Sequence, residues 1–219
     1  MAEAVSARFL ATAHQGDDLL ETMLMRLMRG AGPQGLAGIR PKRPLAGSHV
    51  LLIRPMLGVT HADAERLCTL AGFEWRHDHT NFDVSRVRAA VRAHILPQLR
   101  QLSPRVTEHA SVSSQLLAEA ADLIHQQASE LLAESNSENP GAITWARDVL
   151  RPYPTIVLGK TLRLAAARLS QGRDLDRLSS RVIRPVLGAI TDGVTDPRAF
   201  GWSGLRVHVT AHNVTVERA

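Results

Sequence analysis

Two short apolar runs, each followed by a helical pattern, constrain the fold of this chain most strongly. Arg8-Phe-Leu-Ala-Thr-Ala-His14 is mostly apolar and ends on a polar residue, which predicts a short buried strand. After Gln15-Gly16-Asp17-Asp18, apolar residues recur at Leu19, Leu20, Met23, Leu24, Leu27 and Met28, a helical stripe that Gly30 stops. His49-Val-Leu-Leu-Ile-Arg54 predicts a second buried strand, closed by Pro55. Thr60 reads as a helix N-cap with Asp63 three residues on, and that helix should end at Gly72 after Ala71. Strand, helix, strand, helix in this order calls for an α/β layer with parallel strands.

Further along, Val84, Val87, Val91 and Ile95 share one face of a third helix, and Arg88 and Arg92 lie four apart on another. Ser103-Pro104 starts a long helix whose apolar positions, Val106, Leu116, Leu117, Ala120, Leu123, Ile124, Leu131 and Leu132, carry it to about Glu134. Ser135 to Gly141 reads as a linker. Helices are expected near 144–151, 155–170 and 174–190, the last interrupted at Pro185, and a short β-hairpin at Leu205–Val209 and Val214–Val216. The expected organisation is residues 1–101 as part of an α/β domain, 102–138 as a connecting helix, and 139–219 as a mainly α-helical domain.

The charge follows that organisation. The 219 residues carry a formal net charge of +5, with 26 lysines and arginines against 21 acids. Residues 101–138 hold one basic and six acidic side chains, so two basic blocks flank an acidic one. Basic bodies favour anionic partners, nucleic acid first, although a high isoelectric point without that role gives the same count. No apolar run approaches the ~18–20 residues of a membrane helix, and the first residues do not read as a signal peptide. The lone Cys68 supplies neither an internal disulfide nor a cysteine-built zinc site. It reads as a packed small hydrophobe on a helix. The expectation is a cytoplasmic protein.

Chemistry concentrates in two places. His14 ends a strand, and Asp17, Asp18 and Glu21 occupy the next helical turn. In an open α/β sheet, ligands bind outside the carboxyl ends of the strands. Carboxylates there could hold a magnesium ion (Mg2+) and through it a nucleotide's phosphates. The same acids also suit helix capping and the helix dipole. The second cluster is Asp78-His79-Thr80-Asn81 with Ser85-Arg86-Val87-Arg88. Arginines at a helix start can clamp phosphate, or simply form a solvated face. Gly30-x-Gly32-x-x-Gly35 fits the dinucleotide-binding spacing but follows a helix instead of opening one, so that reading fails.

Three stretches together resemble the tRNA(Ile)-lysidine synthases, PP-loop ATP-pyrophosphatases. They are ATAHQGDDLLETMLMRLMRGAGPQGLAGI at 11–39, LIRPMLGVT at 52–60 and GFEWRHDHTNFDVSRVRAAVRAHILPQL at 72–99. The resemblance implies a partly represented Rossmann-like PP-loop domain followed by a long helix and a helical domain. It implies an enzyme that uses ATP to adenylate C2 of the wobble cytidine of an isoleucine tRNA, after which free lysine displaces AMP. Carried over by position, it places His14, Asp17, Asp18 and Glu21 by the nucleotide, metal and reacting base. Asp18 and Glu21 fall on the metal side, and Arg86 and Arg88 on phosphate charge. Residues 139–219 would help hold the tRNA backbone.

Two departures stand against the family pattern. Ser85 replaces the usual Asn, and the family's Ser-Gly-Gly-x-Asp-Ser phosphate loop is not among these residues. The expectation that follows is a chain inactive by itself, with an apolar sheet edge, and with a homo-oligomer or a partner chain as the alternative sources of the loop. The competing readings are a non-catalytic tRNA-binding remnant or accessory chain, and a PP-loop enzyme with another substrate.

Overall fold

The computed structural model describes residues 2, 5–74, 87–136, 139–172, 178–202 and 204–219. The chain divides into two compact units, Met1–Ala121 and Asp122–Ala219.

The first unit holds a three-stranded sheet. Strand β1 (Phe9–Ala11) pairs in parallel with β3 (Leu51–Ile53), and β3 pairs antiparallel with β2 (Lys42–Pro44), giving the order β1-β3-β2. The parallel pair is the expected one. Helix α1 (Gly16–Met28) follows β1, and α3 (His61–Leu70) follows β3. The Thr60 cap forms as read: its hydroxyl accepts from the Asp63 N–H at 3.1 Å, and the Asp63 carboxylate accepts from the Thr60 N–H. Gly72 closes that helix at φ +70°, where a Cβ would be strained.

Between α1 and β2 the glycine-rich stretch folds around α2 (Pro33–Leu36) and is pinned by Arg26, which donates to the carbonyls of Gly35 and Gly38. Gly38 lies at φ +66° against Leu19, so a side chain has no room there.

Three expectations change in this unit. The first strand is exposed, not buried: Phe9 and Leu10 lie on the edge strand, 53% and 40% exposed. Strand β2 is an addition to the expected pair: Lys42-Arg43-Pro44 has no strand signature and forms one through its pairing with β3. The third helix is also not regular. It comprises α4 (Val87–Ala90), a π-helical turn at Val91–Ile95, and α5 (Leu96–Leu102). The π turn absorbs one extra residue and shifts the buried face to Val91, Leu96 and Leu99, leaving Val87 and Ile95 exposed. Val84 lies outside the described residues.

Helix α6 (Val106–Ala133) is the expected long helix, and the division between the units falls within it. In the second unit β4 (Ala142–Ala146) stands where a helix was expected. Its Ile143 and Trp145 alternate into the core, as a half-buried strand requires. The short α7 (Arg147–Leu150), α8 (Thr155–Ser170) and α9 (Ser180–Thr191) follow. Pro185 does not interrupt α9. It lies on the exposed face, where water can satisfy the carbonyl left without an amide partner. The terminal hairpin of β6 (Leu205–Val209) and β7 (Asn213–Arg218) is present, but β5 (Arg198–Trp202) and β4 extend it. The result is an antiparallel sheet in the order β4-β7-β6-β5. This unit therefore adds a four-stranded antiparallel sheet to the helices and hairpin expected there.

Candidate active site

Both parallel strands deliver their carboxyl ends to one side of the small sheet. The Thr12 N–H donates to the Ile53 carbonyl at 3.0 Å, and the Gly16 N–H to the Val59 carbonyl at 2.9 Å. These bonds stitch the two strand-to-helix loops together. His14 is half-buried in the first loop, with Nδ1 2.9 Å from the Thr12 hydroxyl, which orients the ring. Gly16 is tightly enclosed; a Cβ there would meet Thr107 at 2.7 Å.

Asp17 is buried and surrounded by donors. One carboxylate oxygen accepts from the Thr107 hydroxyl at 3.0 Å and the Arg100 guanidinium at 2.6 Å. The other accepts from the His61 N–H at 2.9 Å, at the first turn of α3. Burial alone would raise this carboxyl's pKa. The His61 N–H, the Arg100 charge and the Thr107 hydroxyl outweigh burial and hold it below its ordinary value.

Asp18 and Glu21 face the helix beginning at Val87. Arg88 donates through Nε to Glu21 at 2.8 Å and through a terminal nitrogen to Asp18 at 2.7 Å. Arg92 donates to both Glu21 oxygens, at 2.6 and 3.2 Å, and reaches Asp18 at 3.4 Å. The second Asp18 oxygen accepts from the Gln15 N–H at 3.0 Å, so the cap pairs Gln15 with Asp18 rather than Asp18 with Glu21, which the arginines hold instead. Glu21 is fully buried, whereas both arginines are close to half-exposed.

The π turn aligns these arginines. Twelve regular helical residues would carry Arg100 about 120° around the axis from Arg88; one residue absorbed by the π turn reduces that to about 20°. Arg88, Arg92 and Arg100 therefore share a face, and they meet Glu21, Asp18 and Asp17.

The expected residues are thus gathered unequally. Asp18, Glu21 and Arg88 form one ion-paired cluster; Asp17, on the same helical turn, makes its own bonds to Arg100, Thr107 and His61, and His14 lies in the loop leading into that turn. Arg86, Asp78, His79, Thr80, Asn81 and Ser85 lie outside the described residues. Arg92 joins that cluster unforeseen, and Arg100 and Thr107 join Asp17. Arg92 stood in view, one helical turn beyond Arg88. Arg100 and Thr107 reach Asp17 across more than eighty residues, which no local pattern signals.

A magnesium ion does not fit between Asp18 and Glu21 in this arrangement. All four of their carboxylate oxygens accept hydrogen bonds, three of them from guanidinium groups. No group of three or more His, Cys, Asp or Glu side chains placed to hold a metal occurs among the described residues. No described helix is long and apolar enough to cross a membrane.

Residues 1–99 match the protein family described as PP-loop domain. The chain is 39% identical over 216 residues to the tRNA(Ile)-lysidine synthase of Salinispora tropica, covering 98% of this chain and 63% of that protein. It is 40% identical over 130 residues to that of Geobacillus kaustophilus, covering 59% and 28%. It is 31% identical over 197 residues to that of Pseudomonas syringae pv. tomato, covering 90% and 40%. The chain thus spans between 28% and 63% of the length of these relatives. Its first 99 residues match the PP-loop domain model, and almost the whole chain is similar to the tRNA(Ile)-lysidine synthase of Salinispora tropica.

Proposed function

We propose that this chain serves the ATP-dependent ligation of lysine to C2 of the wobble cytidine of an isoleucine tRNA, in the cytoplasm. The observation that carries this reading is the acid–arginine cluster at the carboxyl end of β1, in a chain similar to lysidine synthases over 98% of its length. In the proposed sequence, the cytidine carbonyl oxygen attacks the α-phosphate of ATP and pyrophosphate leaves. The lysine amine then attacks C2, the C–O bond to AMP breaks, and the amine's proton is lost.

The residues divide the work by their surroundings. Arg88 is the cation proposed to turn to phosphate: it is half-exposed and divides its bonds between Asp18 and Glu21, one to each. Arg86 is its proposed companion. Arg92 stays on Glu21, with which it makes two hydrogen bonds, so the buried acid keeps a counter-charge when Arg88 moves. Asp18, less deeply buried than Glu21, is then released toward the substrate side together with His14. Asp17 holds the loop in place. Magnesium would accompany the nucleotide and supply positive charge beside its phosphates.

Grafting residues 11–99 into the corresponding positions of the Salinispora tropica protein tests the reading, with lysidine measured by mass spectrometry of digested tRNA. The graft is expected to form lysidine, and grafts with Glu21→Gln or Arg88→Ala to lose at least about 100-fold. A graft that folds, binds tRNA and forms no lysidine would favour the non-catalytic tRNA-binding alternative.

A further inference from the structure

From Thr22 to Ala62 the chain carries Arg26, Arg29, Arg40, Lys42, Arg43 and Arg54, and neither an aspartate nor a glutamate. Arg26 is occupied in pinning the glycine-rich stretch. Lys42 and Arg43 are different. They lie on β2, an exposed edge strand, and neither enters an ion pair among the described residues.

Lys42 stands opposite Ile53, the last residue of β3, and Arg54 follows directly. One terminal nitrogen of Arg54 donates to the Arg40 carbonyl at 2.8 Å, while its Nε is buried without an acceptor. Burial, and after it the nearby charge of Arg43, lowers the Arg54 pKa. Basic residues and prolines on an edge strand also protect it from pairing with other chains. That purpose accounts for Lys42, Arg43 and Pro44. It does not account for a second arginine, half-buried beside the first, with an unanswered donor.

Like charges gathered without counter-ions raise the energy of the free protein and are relieved by a bound anion. The group sits at the carboxyl end of β3, joined to the loop of His14 through the Thr12–Ile53 hydrogen bond. It lies on an open strand, not in an enclosure, which suits a chain of phosphates better than a single small anion. We propose that Lys42, Arg43 and Arg54 form a docking strip for consecutive backbone phosphates of the RNA substrate. The strip holds the strand beside the carboxyl end of the sheet while the base is presented near His14 and Asp18. This rests on the reading of the substrate as tRNA.

The test is fluorescence anisotropy of labelled isoleucine tRNA with the full chain, from low to moderate salt. The Lys42→Gln/Arg43→Gln variant is expected to bind about tenfold more weakly at low salt. Its slope of log affinity against log salt should be shallower by between about one and two. An Arg29→Gln/Arg66→Gln variant removes the same charge from other exposed positions and is expected to change affinity less than about threefold. Equal losses in the two variants, or no loss in the first, would overturn the strip and leave the proposed function standing. A wild-type chain that binds no tRNA would overturn both. Binding of phosphatidylserine vesicles that depends on Lys42 and Arg43, with tRNA binding unaffected, would assign the strip to a membrane surface instead.

Discussion

Asp17 has three kinds of donor around one buried carboxylate, and each belongs to a different element. An amide cannot replace it well, because its NH2 group would face other donors and Arg100 would lose its counter-charge. Asp17→Asn should therefore cost about 3 kcal/mol at neutral pH, read from the denaturant midpoint. The pH dependence has a definite sign. The carboxyl is held below its ordinary value, so its stabilisation is present above about pH 4 and is lost as pH falls through the lowered folded value. The gap between wild type and variant should narrow in acid; a constant gap down to about pH 2 would refute the linkage.

Arg147 is the counterpart in the second unit. Its side chain is 1% exposed and donates to the carbonyls of Ala189, Ile190, Asp192, Val194 and Thr210, and to the Asp192 carboxylate. It thereby satisfies the orphan carbonyls ending α9 and ties them to the strand connection. Arg147→Met is expected to lose about 3–5 kcal/mol, and Arg147→Lys to recover little of it, because an ammonium cannot span these acceptors. Thermal melts of the three proteins check this. Nothing local distinguishes Arg147 from the other arginines of its block in the sequence. Asp17, by contrast, was legible as a residue of interest, although its role as a tie between elements was not.

At the scale of elements, local chemistry was read well and long-range pairing poorly. Thr60 with Asp63, Gly30 and Gly72 are terminators that act within a few residues, and all appear where expected. Strand β2 depends on its pairing with β3, and β4 on its pairing with β7, and neither partner is visible from inside the strand. The π turn at Val91–Ile95 defeated the face reading because periodicity assumes 3.6 residues per turn throughout. Pro185 misled in the opposite direction: an exposed mid-helix proline weakens α9 without breaking it. Pro185→Ala restores an amide donor and removes the ring from the helix interior. It should stabilise the second unit by about 1 kcal/mol, less than the full proline penalty because the helix has already adjusted. A melting temperature that falls on this substitution would mean the ring packs usefully.

At the scale of the whole molecule, no local pattern marks where one body ends and the next begins inside a continuous helix. The linker at 135–141 looked like the boundary, yet the end of α6 belongs to the second unit's core. Ala128 and Leu131 are fully buried there with Ile143, Trp145, Leu162 and Val216. The Trp145 indole N–H donates to the Leu131 carbonyl at 2.8 Å, and Thr161 lies 3.5 Å from the Ala128 carbonyl. Removing that stretch of helix would uncover the Trp145 ring and leave its buried donor unpaired, each worth on the order of kcal/mol. A fragment of residues 122–219 should therefore fold cooperatively and melt in a single transition. A fragment starting at residue 139 should melt far lower or bind hydrophobic dyes as a loosely packed state. Circular dichroism and dye fluorescence on the two fragments decide it. Equal stability would return the boundary to the linker, whereas the expected difference makes the last turns of α6 part of the second unit's fold.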